Sequence, residues 1–233
     1  MKLNDYDLFI FDLDDTLVKT EEYHHKIWSE ILQTYNKQIT LSFEVFCENF
    51  HSNNTNSIKN YIVDDLKLNN YEEIINKKND LFLEFINKEK NNIKLIDGVE
   101  EIINYIQEEK KKFIIVTNSS KIILEFYLEL FPILKNSSKN YYREIFKNRK
   151  PNPDCYLKVK EDFPNYKMIC FEDSISGIHA LQLSNDYNIK NYIDIVFINN
   201  PSYYHYNYII ENYNIKKVIK NYNDIIKKCE SFF

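Results

Sequence analysis

The chain has 233 residues, of which 44% are hydrophobic and 28% are charged, and its formal net charge is -5. This length suits one large domain, or one domain that carries an insertion. A mildly acidic chain lacks the basic surface that phosphate backbones select, so we expect no nucleic acid partner. No stretch approaches the roughly 18 consecutive apolar residues of a membrane span, so we expect no membrane partner. The four cysteines are scattered, which argues against a disulfide framework or zinc site and favours the cytoplasm.

Glycine is nearly absent from the chain. Only Gly98 and Gly177 occur, whereas average usage predicts roughly 16 glycines in a chain of this length. Because glycine is needed where the backbone or the available space admits no other residue, we expect both to lie at such positions.

The first apolar run lies at residues 8–11, and the chain after it has a helical pattern without strand signal. Apolar residues recur there at the spacing of helix faces: Trp28, Ile31, Leu32 and Tyr35; Ile58, Ile62 and Leu66; Ile74, Leu81, Phe82 and Phe85. This pattern predicts a helical insertion of roughly 70 residues between the first strand and the rest of the sheet.

Alternation of strands and helices resumes near Leu95. Apolar runs that predict strands follow at residues 113–116, 168–171 and 193–198, and helical patterns separate them. Continuous apolar runs of this kind indicate strands buried on both faces of a parallel sheet, and hence an α/β fold. The Tyr-rich stretch 203–208 is predicted to be a loop, and the segment after Ile215 a short strand and a helix.

Two carboxylates follow the first predicted strand. Asp12 and Asp14 are two residues apart, so in extended backbone their side chains point the same way. Such a pair repels unless a cation neutralises it, and Mg²⁺ suits the site because it takes oxygen ligands and accepts substrate phosphate. A carboxylate can also attack phosphorus, while a second carboxyl acts as general acid and base. Alone this is a weak signal, because chance supplies such pairs in a chain with 35 acidic residues.

Hydroxyl and amide groups follow the second predicted strand. Thr117 offers a hydroxyl, and the N–H groups of Asn118 and Ser119 lie where the next helix begins, a place that attracts anions. Capping of that helix by Ser119 or Ser120 would explain the same residues. The segment by itself leaves both interpretations open.

Two later segments complete the set. Lys150 lies at residues 149–154, where two prolines stiffen the chain and could fix one cation over a polyanion; an ordinary surface lysine is the alternative. Glu172 and Asp173 end the third strand and bring two more carboxylates to the same sheet edge, where parallel sheets bind ligands. The alternative is that an Asp or Ser here only caps the next helix.

In this order the four segments resemble the motifs of the haloacid dehalogenase superfamily, most of whose members are Mg²⁺-dependent phosphohydrolases. The matching segments are residues 11–17, 116–120, 149–154 and 171–177. The resemblance covers residues 6 to about 200 and implies a Rossmann-like core, a parallel sheet flanked by helices, with a small all-helical cap inserted after the first strand. The implied boundaries are residues 1–17 and 94–233 for the core and 18–93 for the cap.

The resemblance implies a role for each matched residue. Asp12 would be the nucleophile and Asp14 the general acid and base. Thr117, Asn118 and Lys150 would hold the transferring phosphoryl group.

A metal site and a cap residue are implied in the same way. Mg²⁺ would be held by Asp12, Glu172 and Asp173, with Asp14 contributing through its main-chain carbonyl. His24 lies at the entry to the implied cap and could reach the substrate; a partly exposed hinge histidine is the alternative. Asp15 is a departure, because the family often has glycine there, and an extra carboxylate could alter metal affinity.

Three functions remain open. The leading hypothesis is a phosphomonoester hydrolase that acts on a small phosphorylated metabolite through an aspartyl phosphate. A phosphosugar mutase of the same family would differ only in whether water or a sugar hydroxyl attacks the phosphoenzyme. A non-catalytic interaction protein on the same scaffold is the third, and the intact set of site residues argues against it. The sequence fixes neither the substrate nor whether the chain is a monomer or a dimer.

Overall fold

The computed structural model describes residues 1–50, 55–187, 189–199 and 206–226. Within these residues one parallel sheet is formed by six strands: β1 (Leu8–Phe11), β2 (Lys112–Val116), β3 (Lys139–Tyr141), β4 (Met168–Glu172), β5 (Ile193–Ile198) and β6 (Ile215–Ile219). Their order across the sheet is β3-β2-β1-β4-β5-β6. β1 therefore lies in the middle of the sheet, where it pairs with β2 on one side and β4 on the other.

The central strands are the ones that the apolar runs predict. All residues of β1 and β4 are buried, as expected for strands covered on both faces. The predicted parallel α/β fold is confirmed. The edge strand β3 was not predicted, because its three residues, Lys-Asn-Tyr, contain no apolar run and only Tyr141 is buried.

Between β1 and Leu95 the described residues form four α-helices: α1 (Glu21–Tyr35), α2 (Phe43–Asn49), α3 (Thr55–Asn60) and α4 (Tyr71–Glu89). A π-helical turn, Tyr61–Asp65, continues α3. The three apolar stripes of the sequence fall on α1, on α3 with its π-helical turn, and on α4. The short helix α2 carries no full stripe and was not predicted; the Ser42 hydroxyl caps it by accepting from the Val45 N–H.

The other described helices flank the sheet: α5 (Val99–Glu108), α6 (Lys121–Leu130), α7 (Asp154–Asp162), α8 (Ile175–Tyr187), α9 (Tyr206–Asn212) and α10 (Asn223–Ile226). The prediction of a loop at residues 203–208 is wrong from residue 206 onward, because α9 begins there and buries Ile209. Residues 203–205 lie outside the described part of the chain. The strand and helix predicted after Ile215 are β6 and α10.

The chain divides into two compact units, one made of Met1–Val18 with Leu95–Phe233 and the other of Lys19–Lys94. The first contains the sheet. The regular structure in the described part of the second unit is helical, with Ile27, Ile31, Ile62 and Phe82 in its core. Among the described helices, none has the length and apolar character needed to cross a membrane.

Candidate active site

The polar residues that end three strands meet at one edge of the sheet. Asp12 directly follows β1, and its N–H donates to the carbonyl of Phe171 in β4 (3.1 Å). Thr117 directly follows β2, the other neighbour of β1. Because the strands are parallel and in register, their carboxyl ends bring these residues to the same place as Glu172, the last residue of β4.

Lys150 is buried at this edge and contacts the ends of three strands, β1, β2 and β4. Its Nζ donates to Asp12 Oδ1 (2.7 Å), to Glu172 Oε2 (2.7 Å) and to the carbonyl of Val116 (2.9 Å). Its side chain is 3% exposed, so the two ion pairs are shielded from water. The surface-lysine alternative is therefore excluded by the structure.

Asn118 fixes the main chain at Lys150. Its Nδ2 donates to the Lys150 carbonyl (3.1 Å), and its Oδ1 accepts from the Lys150 N–H (3.1 Å). The Asn118 side chain thus holds the lysine loop, which also contains a cis peptide bond between Lys150 and Pro151. Next to it, the Thr117 hydroxyl accepts from the Ser119 N–H (2.9 Å).

Glu172 is completely buried and receives four hydrogen bonds. Oε2 accepts from Lys150 and from the Tyr156 hydroxyl (3.0 Å), while Oε1 accepts from the N–H (3.1 Å) and hydroxyl (2.6 Å) of Ser174. A carboxylate offers about four lone-pair sites, so these donors account for all of them. The Ser174 hydroxyl also accepts from the Gly177 N–H (3.0 Å), which makes Ser174 the cap of α8.

Three carboxylates form a group with the spacing of a cation site. One oxygen each from Asp12, Glu172 and Asp173 lie within 4.8 Å of one another. Asp173 is also buried, and its Oδ1 accepts from the Thr16 hydroxyl (2.9 Å). The donors are all oxygen atoms, which suits a hard cation such as Mg²⁺.

The pKa values of Asp12, Asp173 and Lys150 are all raised. The pKa of Asp12 lies well above its usual value of 3.8, first because of burial and then because of the Glu172 charge, against which Lys150 acts in the opposite sense. Burial, Glu172 and Asp12 likewise raise the pKa of Asp173. Burial lowers the pKa of Lys150, but Asp12 and Glu172 outweigh it and hold that pKa well above 10.5. Burial and the neighbouring carboxylates therefore both favour the protonated forms of Asp12 and Asp173.

Asp14 lies beside this group, and its carboxylate contacts a neighbouring loop. Its Oδ2 accepts from the Ser119 hydroxyl at 2.5 Å. Asp15 follows with a φ of +53°, in the left-handed region that glycine adopts freely and that Asp tolerates better than most residues. This backbone geometry accounts for glycine being common at the position in the superfamily and for Asp being accepted here.

The structure thus brings together most of the predicted residues. Seven of them lie in the unit that contains the sheet: Asp12, Asp14, Thr117, Asn118, Lys150, Glu172 and Asp173. His24 lies on α1 in the helical unit, where its ring stacks on Phe82 with a centroid distance of 4.4 Å. Sequence reasoning missed Tyr156 as a partner of Glu172; a tyrosine on the helix after the lysine loop is the only signal it offered.

Comparisons with known proteins bear on the family and the fold of this chain. A family model described as haloacid dehalogenase-like hydrolase matches residues 9–190. No curated protein sequence matches the chain significantly.

Solved structures resemble the chain along most of its length. A haloacid dehalogenase-like protein of unknown function from Agrobacterium tumefaciens is 20% identical, covers 97% of this chain and 98% of its own, and has a TM-score of 0.76. A predicted phosphoglycolate phosphatase from Haemophilus somnus is 18% identical, with 97% and 99% covered and a TM-score of 0.75. A protein from Thermotoga maritima that is assigned as a beta-phosphoglucomutase is 18% identical to this chain. The match covers 97% of this chain and 100% of that protein, with a TM-score of 0.67. These likenesses establish the fold, and the family model covers well over half of the chain. The chain belongs to the haloacid dehalogenase-like hydrolases.

Proposed function

We propose that this protein is a Mg²⁺-dependent phosphomonoester hydrolase that acts on a small phosphorylated metabolite through a phosphoryl group carried on Asp12. The observation that carries the proposal is the buried arrangement of Asp12, Lys150, Glu172 and Asp173 at the carboxyl edge of the sheet. Such an arrangement offers a carboxylate to attack phosphorus and positive charge to stabilise the transferring group.

The residues fit a divalent cation. Three carboxylates, those of Asp12, Glu172 and Asp173, face one ammonium group, that of Lys150, and the excess of two negative charges matches Mg²⁺. Burial first, and then repulsion between the carboxylates, raises the pKa values of Asp12 and Asp173, and a bound cation would favour the ionised forms of both. When bound, Mg²⁺ would supply positive charge at a phosphoryl oxygen.

Glu172 differs from Asp12 and Asp173 because it accepts four hydrogen bonds from the protein. Lys150, Tyr156 and Ser174 already occupy both oxygens of Glu172. We therefore assign Asp12 and Asp173 as the carboxylates that bind the cation most directly, with the Asp14 carbonyl as a further ligand. Glu172 lies at the same site and acts mainly as the counter-ion that holds Lys150.

The reaction follows from these positions. A carboxylate oxygen of Asp12 attacks phosphorus while Asp14 gives a proton to the leaving oxygen, so that the alcohol departs and the phosphoryl group stays on Asp12. Asp14 then takes a proton from water as the water attacks the same phosphorus, which releases phosphate and restores the Asp12 carboxylate. Lys150, the Thr117 hydroxyl and the main-chain N–H of Asn118 are the groups that we assign to the phosphoryl oxygens.

The names of similar structures support a small phosphorylated substrate. They include predicted phosphoglycolate phosphatases and a beta-phosphoglucomutase assignment, and one related structure holds xylulose-1,5-bisphosphate. The mutase is the second candidate on this ground. It would need a sugar bisphosphate for activity and would release little free phosphate, whereas a hydrolase releases phosphate with water alone.

The helical unit and the location complete the proposal. We assign residues 19–94 the role of a substrate-selecting cap, with His24 as its contribution to the substrate, as the superfamily resemblance predicts. Cys47, Cys155 and Cys170 are buried and form no disulfide within the described residues, which supports a reducing compartment such as the cytoplasm. Cys229 lies outside the described residues.

The test is phosphate release from p-nitrophenyl phosphate, followed by a panel of phosphoglycolate, sugar phosphates and nucleotides. The wild type should be active with Mg²⁺ and inactive with EDTA, and Asp12→Asn should be inactive in both. The exposed Asp5→Asn is the matched control and should keep full activity. After rapid quenching, mass spectrometry should find the phosphoryl group on the peptide that contains Asp12. Equal background release by the wild type and Asp12→Asn would refute the proposal.

A further inference from the structure

Tyr222, near the end of the described chain, contacts the loop after β1 at Thr16. Tyr222 lies between β6 and α10 and is completely buried. Its hydroxyl donates to the carbonyl of Thr16, 206 residues earlier in the chain, at 3.1 Å. The hydroxyl of the same Thr16 donates to Asp173 Oδ1 at 2.9 Å. Two hydrogen bonds thus connect Tyr222 to a carboxylate that we assign to Mg²⁺.

The ring of Tyr222 packs against the strands that carry the site. Its centroid lies 5.8 Å from that of Phe11 and 5.3 Å from that of Phe171, and these two phenylalanines stack on each other at 5.0 Å. Phe11 immediately precedes Asp12, and Phe171 immediately precedes Glu172. The apolar contacts of Tyr222 therefore fix its hydroxyl relative to both strand ends.

One of the two glycines makes room for this tyrosine. Gly98 has a φ of +85°, and a β-carbon there would lie 2.9 Å from the β-carbon of Tyr222 and 2.8 Å from the Asn223 nitrogen. The Tyr222 N–H also donates to the Asp97 carbonyl at 3.0 Å. A β-carbon almost never lies within 3.0 Å of a heavy atom to which it is not bonded. Only glycine at position 98 therefore lets the Tyr222 segment pack this closely.

We propose that Tyr222 is a positioning residue for the metal-binding carboxylate of Asp173, and that it acts by fixing the main chain at Thr16. This inference rests on the proposed function, because it takes Asp173 as a ligand of Mg²⁺. A β-branched residue has little freedom at χ1, so a fixed main chain at Thr16 also fixes where its hydroxyl points. That hydroxyl donates to Asp173 Oδ1, so its direction determines where this oxygen of the carboxylate is held.

The geometry separates this role from simple packing. Replacing Tyr222 by phenylalanine keeps the ring beside Phe11 and Phe171 and removes only the bond to Thr16. Loss of a group that orients a metal ligand costs typically about 10–100-fold in metal affinity. We expect Tyr222→Phe to weaken Mg²⁺ binding by about tenfold, at the low end of that range because it acts through Thr16.

The test measures Mg²⁺ binding directly by isothermal titration calorimetry on the full chain, alongside the Tm of the metal-free protein. Tyr6→Phe is the matched control. Tyr6 is also buried, its hydroxyl donates to Asp194 at 2.6 Å, and it precedes the opposite end of β1. Tyr6→Phe should leave the Mg²⁺ Kd unchanged, whereas Tyr222→Phe should raise it. In phosphate release, Tyr222→Phe should raise the Mg²⁺ concentration needed for half activity and leave the substrate KM unchanged.

A double-mutant cycle tests the route through Thr16. Thr16→Val removes the bond to Asp173 and should raise the Mg²⁺ Kd by about tenfold or more, while Thr16→Ser keeps the hydroxyl and should restore much of the affinity. If Tyr222 acts through Thr16, adding Tyr222→Phe to Thr16→Val should change the Kd by less than the single change does. If Tyr222→Phe does not fold, the comparison of Thr16→Val with Thr16→Ser still tests whether the Thr16 hydroxyl positions Asp173.

Each contrary result has its own meaning. An unchanged Mg²⁺ Kd in Tyr222→Phe, or additive effects in the cycle, would overturn the positioning role and leave the proposed hydrolase standing. A lower Tm without a change in Kd would show that Tyr222 is only a packing residue. Absence of Mg²⁺ binding by the wild type would remove the proposed function and this inference together.

Discussion

A β-carbon added to Gly177 would lie 2.0 Å from the carboxyl carbon of Glu172 and 2.1 Å from its Oε2. The first turn of α8 therefore passes directly against the buried carboxylate that holds Lys150. Glycine is the residue whose side chain leaves this space free. Both glycines of the chain thus lie against parts of the candidate site, Gly177 at Glu172 and Gly98 at Tyr222.

Gly177→Ala is expected to displace Glu172 and to weaken its contacts with Lys150 and Ser174. Overpacking of this kind costs about 1–3 kcal/mol in the free energy of unfolding, in spite of the better helix propensity of alanine. Urea unfolding and phosphate release measure the two effects. Tyr187→Ala, at an exposed position of the same helix, is the control and should change neither. A fully active and stable Gly177→Ala protein would contradict this packing.

Lys150→Met is expected to destabilise the metal-free protein and to abolish phosphate release. The substitution leaves Asp12 and Glu172 buried without their cation, and breaking a buried ion pair in this way costs about 3–5 kcal/mol. Lys158→Met is the control, because Lys158 pairs with Asp162 at the surface and exposed pairs contribute little. Similar unfolding midpoints for the two variants would refute the assigned role of Lys150.

The stabilisation given by Mg²⁺ is expected to increase with pH. In the metal-free protein the pKa values of Asp12 and Asp173 lie above 3.8, so their contribution to stability is present below that pH and is lost as the pH rises through the raised values. Mg²⁺ binds the ionised carboxylates. The rise in Tm on adding Mg²⁺ should therefore be small near pH 5 and larger near pH 8.

Two variants check this pH dependence. Asp12→Asn removes one of the titrating carboxyls and should reduce the dependence of the Mg²⁺ effect on pH. Asp162→Asn is the control, because Lys139 and Tyr141 bond the Asp162 carboxyl and hold its pKa below the usual value, away from the site. A Mg²⁺ effect that is equal at pH 5 and pH 8 in the wild type would contradict the assignment.

Asn118→Ala tests whether the side chain of Asn118 holds the lysine loop. Its two hydrogen bonds to the Lys150 main chain would be lost, and a misplaced catalytic group lowers kcat/KM by up to about 10²-fold. The exposed Asn148→Ala, two residues before Lys150, should leave kcat/KM unchanged. Crystal structures of the two variants should show the Lys150 ammonium displaced only in Asn118→Ala.

The sequence predicts the central strands of the sheet better than it predicts the edge strand β3. Strands β1, β2, β4 and β5 are buried over nearly all of their residues, and each contains an apolar run that marks it in the sequence. The edge strand β3 satisfies its hydrogen bonds against β2 with polar residues, and its apolar content is too low to mark it. Helix α9 shows the same limit, since a stretch rich in tyrosine contains no clear helical period.

Within the site, spacing along the chain identifies the residues that follow strands. Asp12, Thr117, Glu172 and Asp173 follow apolar runs, so parallel pairing alone brings them to one edge. Contacts between residues far apart in sequence leave no such pattern. The pairing of Asn118 with Lys150 needs the loop geometry, and no periodicity connects Tyr222 with Thr16.

The central position of β1 has a consequence for how the protein is made. β1 leaves the ribosome before both strands that pair with it, because these lie beyond the helical unit, and β4 follows much later in synthesis. Contacts so distant in sequence raise the contact order and slow folding. A nascent chain that has not yet reached β4 exposes the apolar surface of β1, so we expect truncated chains ending before residue 168 to aggregate or to be retained by chaperones.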